Sequence, residues 1–139
     1  MTLVIPNVGE AAMQDNSLKA TTPEALILKL YSNNYDAVNS SVAGSFTEVT
    51  GGGYASKTLT RAGWNAAVPG SPTSSTYGTA QVFSFTGTIA AVVGYFLVGA
   101  TSGTLYWAER LYAGAGQAFG NGDSLTVTPK ITYASVSND

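Results

Sequence analysis

"IAAVVGYFLVGA", residues 89–100, is the stretch that decides the fold. It is apolar apart from its glycines and far shorter than the roughly 20 residues a helix needs to cross a bilayer. A run of this length without alternation fits a strand buried on both faces, at the centre of a sheet. Downstream, "ATSGT" (100–104) has the composition of a hairpin turn, and "LYWAERLY" (105–112) is the returning strand. Upstream, "AQVFSFTG" (80–87) sets Phe83 and Phe85 on one face and Val82 and Ser84 on the other, the period of a half-buried strand.

Further out, "GAGQAFGNGDS" (114–124) reads as a long turn. Beyond it Leu125, Val127, Ile131 and Tyr133 alternate with Thr126, Thr128, Lys130 and Thr132. That predicts one half-buried strand, with Pro129 placing it at a sheet edge or marking a bulge. "AGWNAAVPGSPTSSTYG" (62–78) is a connection rich in Gly, Pro and Ser, in which Trp64 is expected to plug one end of the domain. Phe46–Thr50 and Tyr54–Thr60 are short extended pieces. In "TTPEALILKLYSNN" (21–34), Thr21 and Glu24 have the form of a capping box and Pro23 suits a first helical turn. Leu26, Leu28 and Leu30 nevertheless alternate with Ile27 and Lys29, and two asparagines close the run, which favours a strand. In the first segment, "TLVIPNVGEAAMQDNSLKA", Pro6 separates an apolar start from a short helix over Gly9–Lys19.

The expected organisation is an N-terminal arm with a short helix (1–22) followed by a single β-sandwich domain (23–139). The fold class is all-β, with antiparallel sheets in a sandwich or jelly-roll-like arrangement. Leu3, Val4 and Ile5 in the arm form a strap able to reach a neighbouring subunit.

Composition bounds the function. Charged residues make up 10% of the 139, against about 25% in an ordinary soluble domain, while hydrophobic residues reach 45%. So weakly charged a surface implies partial cover by neighbours. The net charge of −2 and the scatter of six basic residues leave no footprint for nucleic acid. No basic segment followed by an apolar run opens the sequence, so neither a signal peptide nor a membrane partner is expected.

"GGGYASKT" (51–58) matches a phosphate-binding P-loop at Gly51, Lys57 and Thr58, with Ser56 in place of the second glycine. A P-loop lies between a buried strand and a helix whose N-terminus holds the phosphates. Here "GSFTEVT" upstream is polar and carries Glu48, and "LTRAGW" downstream has no helical periodicity. The stretch is read as a glycine turn feeding a strand.

The chain has neither histidine nor cysteine, so Ser-His and Cys-His dyads and imidazole or thiolate metal sites are excluded. No catalytic residue, cofactor or metal ligand is assigned. A carbohydrate-active enzyme with two facing carboxylates is the alternative from another class, but most of the carboxylates sit in turns or near the ends. Asp123 lacks the alternating oxygen ligands of a calcium loop and is assigned to a turn. Glu109 and Arg110, as strand neighbours, point to opposite faces. By the same parity Tyr106 and Tyr112 share a face and Trp107 takes the other, which rules out a three-ring sugar platform. Tyr106 and Tyr112 are therefore candidates for core or interface packing.

"FTEVTGGGYASKTLT" (46–60), "GYFLVGATSGTLYWAERL" (94–111) and "NGDSLTVTPKITY" (121–133), with "LKLYSN" (28–33), resemble a group of small tailed-bacteriophage virion proteins. The resemblance implies a non-enzymatic β-sandwich part of the virion. The expected role is capsid decoration or cement: the protein self-associates, as a trimer, and binds the major capsid protein at the capsid surface. A tail or fibre component contacting the host surface is the alternative.

Overall fold

In the computed structural model, which describes residues 3–19 and 23–133, the segment 89–100 forms two strands rather than one. The elements in chain order begin with β1 (Leu3–Val4), α1 (Asn7–Leu18), β2 (Leu26–Tyr31), β3 (Lys57–Leu59) and β4 (Thr73–Thr76). They continue with β5 (Gln81–Ser84), β6 (Ile89–Val92), β7 (Gly94–Gly99), β8 (Leu105–Arg110), β9 (Gln117–Phe119), β10 (Ser124–Val127) and β11 (Lys130–Tyr133). Every pairing among the described strands is antiparallel. The fold is all-β with one short helix.

Strand β7 is buried at all six positions because it lies between β2 and β8 in a five-stranded sheet ordered β1-β8-β7-β2-β3. Both faces of this sheet are covered. Leu26, Leu28, Leu30, Tyr95, Leu97 and Trp107 turn to the larger core, where they meet Phe83, Phe85, Ile89, Leu125, Val127 and Ile131 from three two-stranded ribbons, β5-β10, β4-β11 and β6-β9. Tyr31, Phe96, Val98, Leu105 and Ala108 turn to a smaller core closed by Phe46 and Tyr35. There the Phe46 and Phe96 rings stack 5.0 Å apart, 13° from parallel.

Four sequence expectations change for identifiable reasons. Val92 belongs to the larger core and Val93 to the smaller, and at this step β6, paired with β9, gives way to β7, which enters the five-stranded sheet between β2 and β8. The turn expected over 114–124 therefore contains a strand. The run 125–133 is also two strands: Pro129 lacks an N–H to continue the ladder, and the chain moves there from β5 to β4 as partner. The connection 62–78 contains β4, whose Thr-Ser-Ser-Thr sequence is half-buried throughout and carries no apolar alternation.

Other expectations agree. Leu26–Tyr31 is a strand; Thr21 of the candidate capping box lies outside the described residues. The hairpin turn at 100–104 joins β7 to β8, closed by Gly99 N–H on the Thr104 carbonyl at 2.9 Å. Gly51, Gly52 and Gly53 all have left-handed backbone (φ 78°, 53° and 76°), a conformation that costs side-chain-bearing residues 1–2 kcal/mol each. They lead into strand β3 and not into a helix, and Lys57 Nζ sits 5.5 Å from the centre of the Phe83 ring.

The N-terminal segment is built into its own sheet. Leu3 and Val4 pair with Glu109 and Ala108 at the β8 edge, and α1 lies against the same strand. Gly9 makes this close approach possible: a Cβ there would fall 2.0 Å from the Tyr106 carbonyl oxygen.

Candidate functional site: an aromatic cleft beside the N-terminal helix

Strands β7 and β8 slip in register between Leu97↔Trp107 and Val98↔Leu105, leaving Tyr106 as an extra residue. Such a bulge puts two successive side chains on one side of the sheet and re-aims them. Tyr106 and Trp107 consequently both face the larger core, while Leu105 and Ala108 face the smaller. This corrects the parity expected from an unbroken strand, which had put Trp107 opposite Tyr106.

The two rings contribute to a cavity of about 290 Å³ between α1, the turn after β3, and the β4-β11 ribbon. Trp107 is buried in its wall, and Trp64 packs edge-on against it with ring centroids 5.8 Å apart. Trp64 also meets Tyr77 at 5.3 Å and packs, partly buried, against the larger core. Tyr133 from β11 and Met13 from α1 line the cavity, with the Tyr133 hydroxyl 2.7 Å from the Met13 sulfur. Asn16, Ser17, Ser75 and Arg61 supply the polar lining.

Hydrogen bonds fix the back of the cleft. The Asn16 amide donates to the Tyr106 hydroxyl, which donates to Glu24 at 3.0 Å. Glu24 also accepts from Thr101 N–H, Ser102 N–H and the Ser102 hydroxyl at 2.7–2.9 Å, so its carboxylate ties β2 to the β7–β8 turn. Burial raises the Glu24 pKa, but the bonds from Ser102, Thr101 and Tyr106 outweigh it and hold the carboxyl below its usual 4.5. Burial pushes the Tyr106 hydroxyl well above 10.0; Glu24 adds to the rise and nearby Arg61 opposes it. Arg61 lines the cleft, is exposed, and makes no salt bridge among the described residues.

The other charged side chains named by sequence have structural partners. Glu109 accepts from the Tyr95 hydroxyl at 2.7 Å. Arg110 bonds Asp36 (2.9 Å), Asn34 (2.6 Å) and the carbonyls of Tyr112 and Gly114. Asp123 accepts from Gly120 N–H at 2.7 Å, the turn role expected of it. Among the described residues no three His, Cys, Asp or Glu side chains gather to hold a metal.

The interface candidates do not form one surface. Leu3, Val4 and Ile5 are half-buried against their own chain, Tyr106 is buried in the cleft wall, and Tyr112 packs against Phe119 with centroids 6.3 Å apart. No sequence pattern marks Asn16 or Arg61, and those that mark Trp64 and Tyr133 do not join them to Tyr106; the bulge and the seat of the helix do. Family models, curated proteins and solved structures compared with the chain yield no match. The resemblance to phage virion proteins rests on its turn-and-strand motifs.

Proposed function

We propose that the chain is a structural contact protein of a bacteriophage particle, a decoration or cement protein that self-associates and braces the head shell. The observation that carries this is an apolar surface beside the N-terminus. Val8, Val38 and Val42 are 37%, 50% and 49% exposed. Val8 and Val42 line one shallow hollow with Ala43, Leu105, Ser102 and Thr104, and Val38 lines another with Val4, Ala37, Ser40 and the Asn7–Asn39 pair, whose backbones bond at 2.9 Å. Among the described residues no charged side chain lines either hollow. Depletion of charge is the mark of the centre of a protein interface. Repetition of such a contact by symmetry makes even a weak one hold a shell together. The short edge strand β1 borders this surface, so Leu3–Ile5 support the interface without leaving their own sheet.

Size-exclusion chromatography with light scattering, and co-sedimentation with capsids lacking the protein, test the proposal. The native chain is expected to be trimeric and to pellet with capsids. Val38→Asp and Val42→Asp should keep the melting temperature and lose both properties. A monomer that ignores capsids, or valine variants that bind as well as the native chain, contradicts it.

A further inference from the structure

We propose that the cleft between α1 and the β4-β11 ribbon binds one ring of an acidic saccharide. Its volume of about 290 Å³ is at the lower end of the roughly 300–1,000 Å³ of small-molecule sites, room for a single ring. Trp64 and Tyr133 present partly exposed aromatic surface at the cleft, the kind of wall against which the C–H face of a sugar packs. Asn16, Ser17 and Ser75 place neutral donors and acceptors on different sides of the same space. The Asn16 amide and the Ser75 hydroxyl already donate to the Tyr106 hydroxyl and the Asn65 carbonyl, so what these residues offer a ligand is chiefly acceptor oxygens, which the hydroxyls around a sugar rim can reach and a planar aromatic acid cannot.

The charge at the mouth selects an acid. Arg61 has no carboxylate partner among the described residues, and a guanidinium accepts a carboxylate by two parallel hydrogen bonds. Glu24 does not line the cleft, and four donors already occupy its carboxylate. The bulge that aims Tyr106 and Trp107 to one side gives the site its wall. This inference is independent of where on a particle the chain sits.

The sequence contains two tryptophans, and both wall the cleft, so indole emission reports directly on its occupancy. Titrating the full chain with glucuronate, galacturonate and sialic acid should give a saturable emission change for at least one of them. The expected Kd is about 1 mM, typical of weak single-ring binding. Glucose should bind about tenfold more weakly, and Arg61→Ala should remove the preference for the acid at unchanged melting temperature. Calorimetry with Trp64→Phe, which keeps a ring in place, should show weakened binding in a folded protein. No saturable response to any of the three acids overturns the proposal. So does benzoate binding as tightly as the best of them, or an Arg61→Ala variant that still prefers the acid.

Discussion

Replacing Gly9 with alanine distinguishes a docked N-terminal helix from a free arm by the sign of its effect. In an unattached helix the change is favourable, since glycine costs about 1 kcal/mol relative to alanine. In this structure the new Cβ would stand 2.0 Å from the Tyr106 carbonyl oxygen and 2.7 Å from its carbonyl carbon. Ordinary contact begins at 3.4 Å, and backbone cannot swing aside as the tip of a side chain can. The helix must therefore withdraw from β8, loosening Ala12 and Met13 from the larger core. Forcing an extra carbon into a packed site costs about 1–3 kcal/mol, which outweighs the helical gain in all but the mildest case. The net loss, up to about 2 kcal/mol, lowers the melting temperature by up to roughly 8 °C for a chain of this size. Circular dichroism melts of Gly9→Ala would measure it, with Gly44→Ala as control because nothing lies within 4 Å of a Cβ there. A melting temperature at or above that of the native chain would refute the docking of α1 on β8.

Other perturbations probe the sheet and its buried groups. Val93→Asp puts an unpaired charge at a fully buried crossing point; the cost of several kcal/mol approaches a domain's whole stability, so no folded soluble protein is expected. Burial pushes the Tyr31 hydroxyl up to about 12, and raises Tyr54, Tyr95, Tyr106 and Tyr133 as well. Their folded values exceed the unfolded 10.0, so the stability they contribute is complete below pH 10 and lost as pH climbs above it. Tyrosinate absorbance of Tyr31, Tyr54, Tyr95 and Tyr106 should rise together with unfolding, while Tyr133 is half exposed; independent titration of those four near pH 10 in a folded chain would contradict their burial. Glu24 acts at the other end of the scale: its carboxyl is held low, so its contribution is present above pH 4.5 and lost as pH falls through the folded value. Glu24→Gln should flatten the dependence of melting temperature on pH in that acid window, and an unchanged slope would show that the carboxylate does not tie the β7–β8 turn.

Periodicity made much of this fold readable. The leucines of β2 and the phenylalanines around β5 point as their alternation requires, and the apolar run 94–99 is the central strand. Chain crossings were not readable. Nothing in "AAVVGYF" marks Val93 as the point where one strand ends in the ribbon layer and the next begins in the main sheet. Short polar strands were equally silent: β4 and β9 gain their place from their partners' backbones and not from their own apolar pattern. The candidate site was hidden for a related reason. A bulge is a mismatch between two strands, so neither strand alone reveals that Tyr106 and Trp107 share a side. Trp64 lies in the Gly-, Pro- and Ser-rich connection 62–78 and Arg61 just before it, where no periodicity marks either, and Asn16 belongs to a helix whose seat depends on one glycine.

Cryo-electron microscopy of phage particles with and without this protein tests the proposed role most directly. Difference density for the β-sandwich should appear at regularly repeated positions on the outside of the head, with Val8, Val38 and Val42 turned toward the shell or a neighbouring copy. Heads that look the same with and without the protein, or density confined to the tail, would contradict a cement protein.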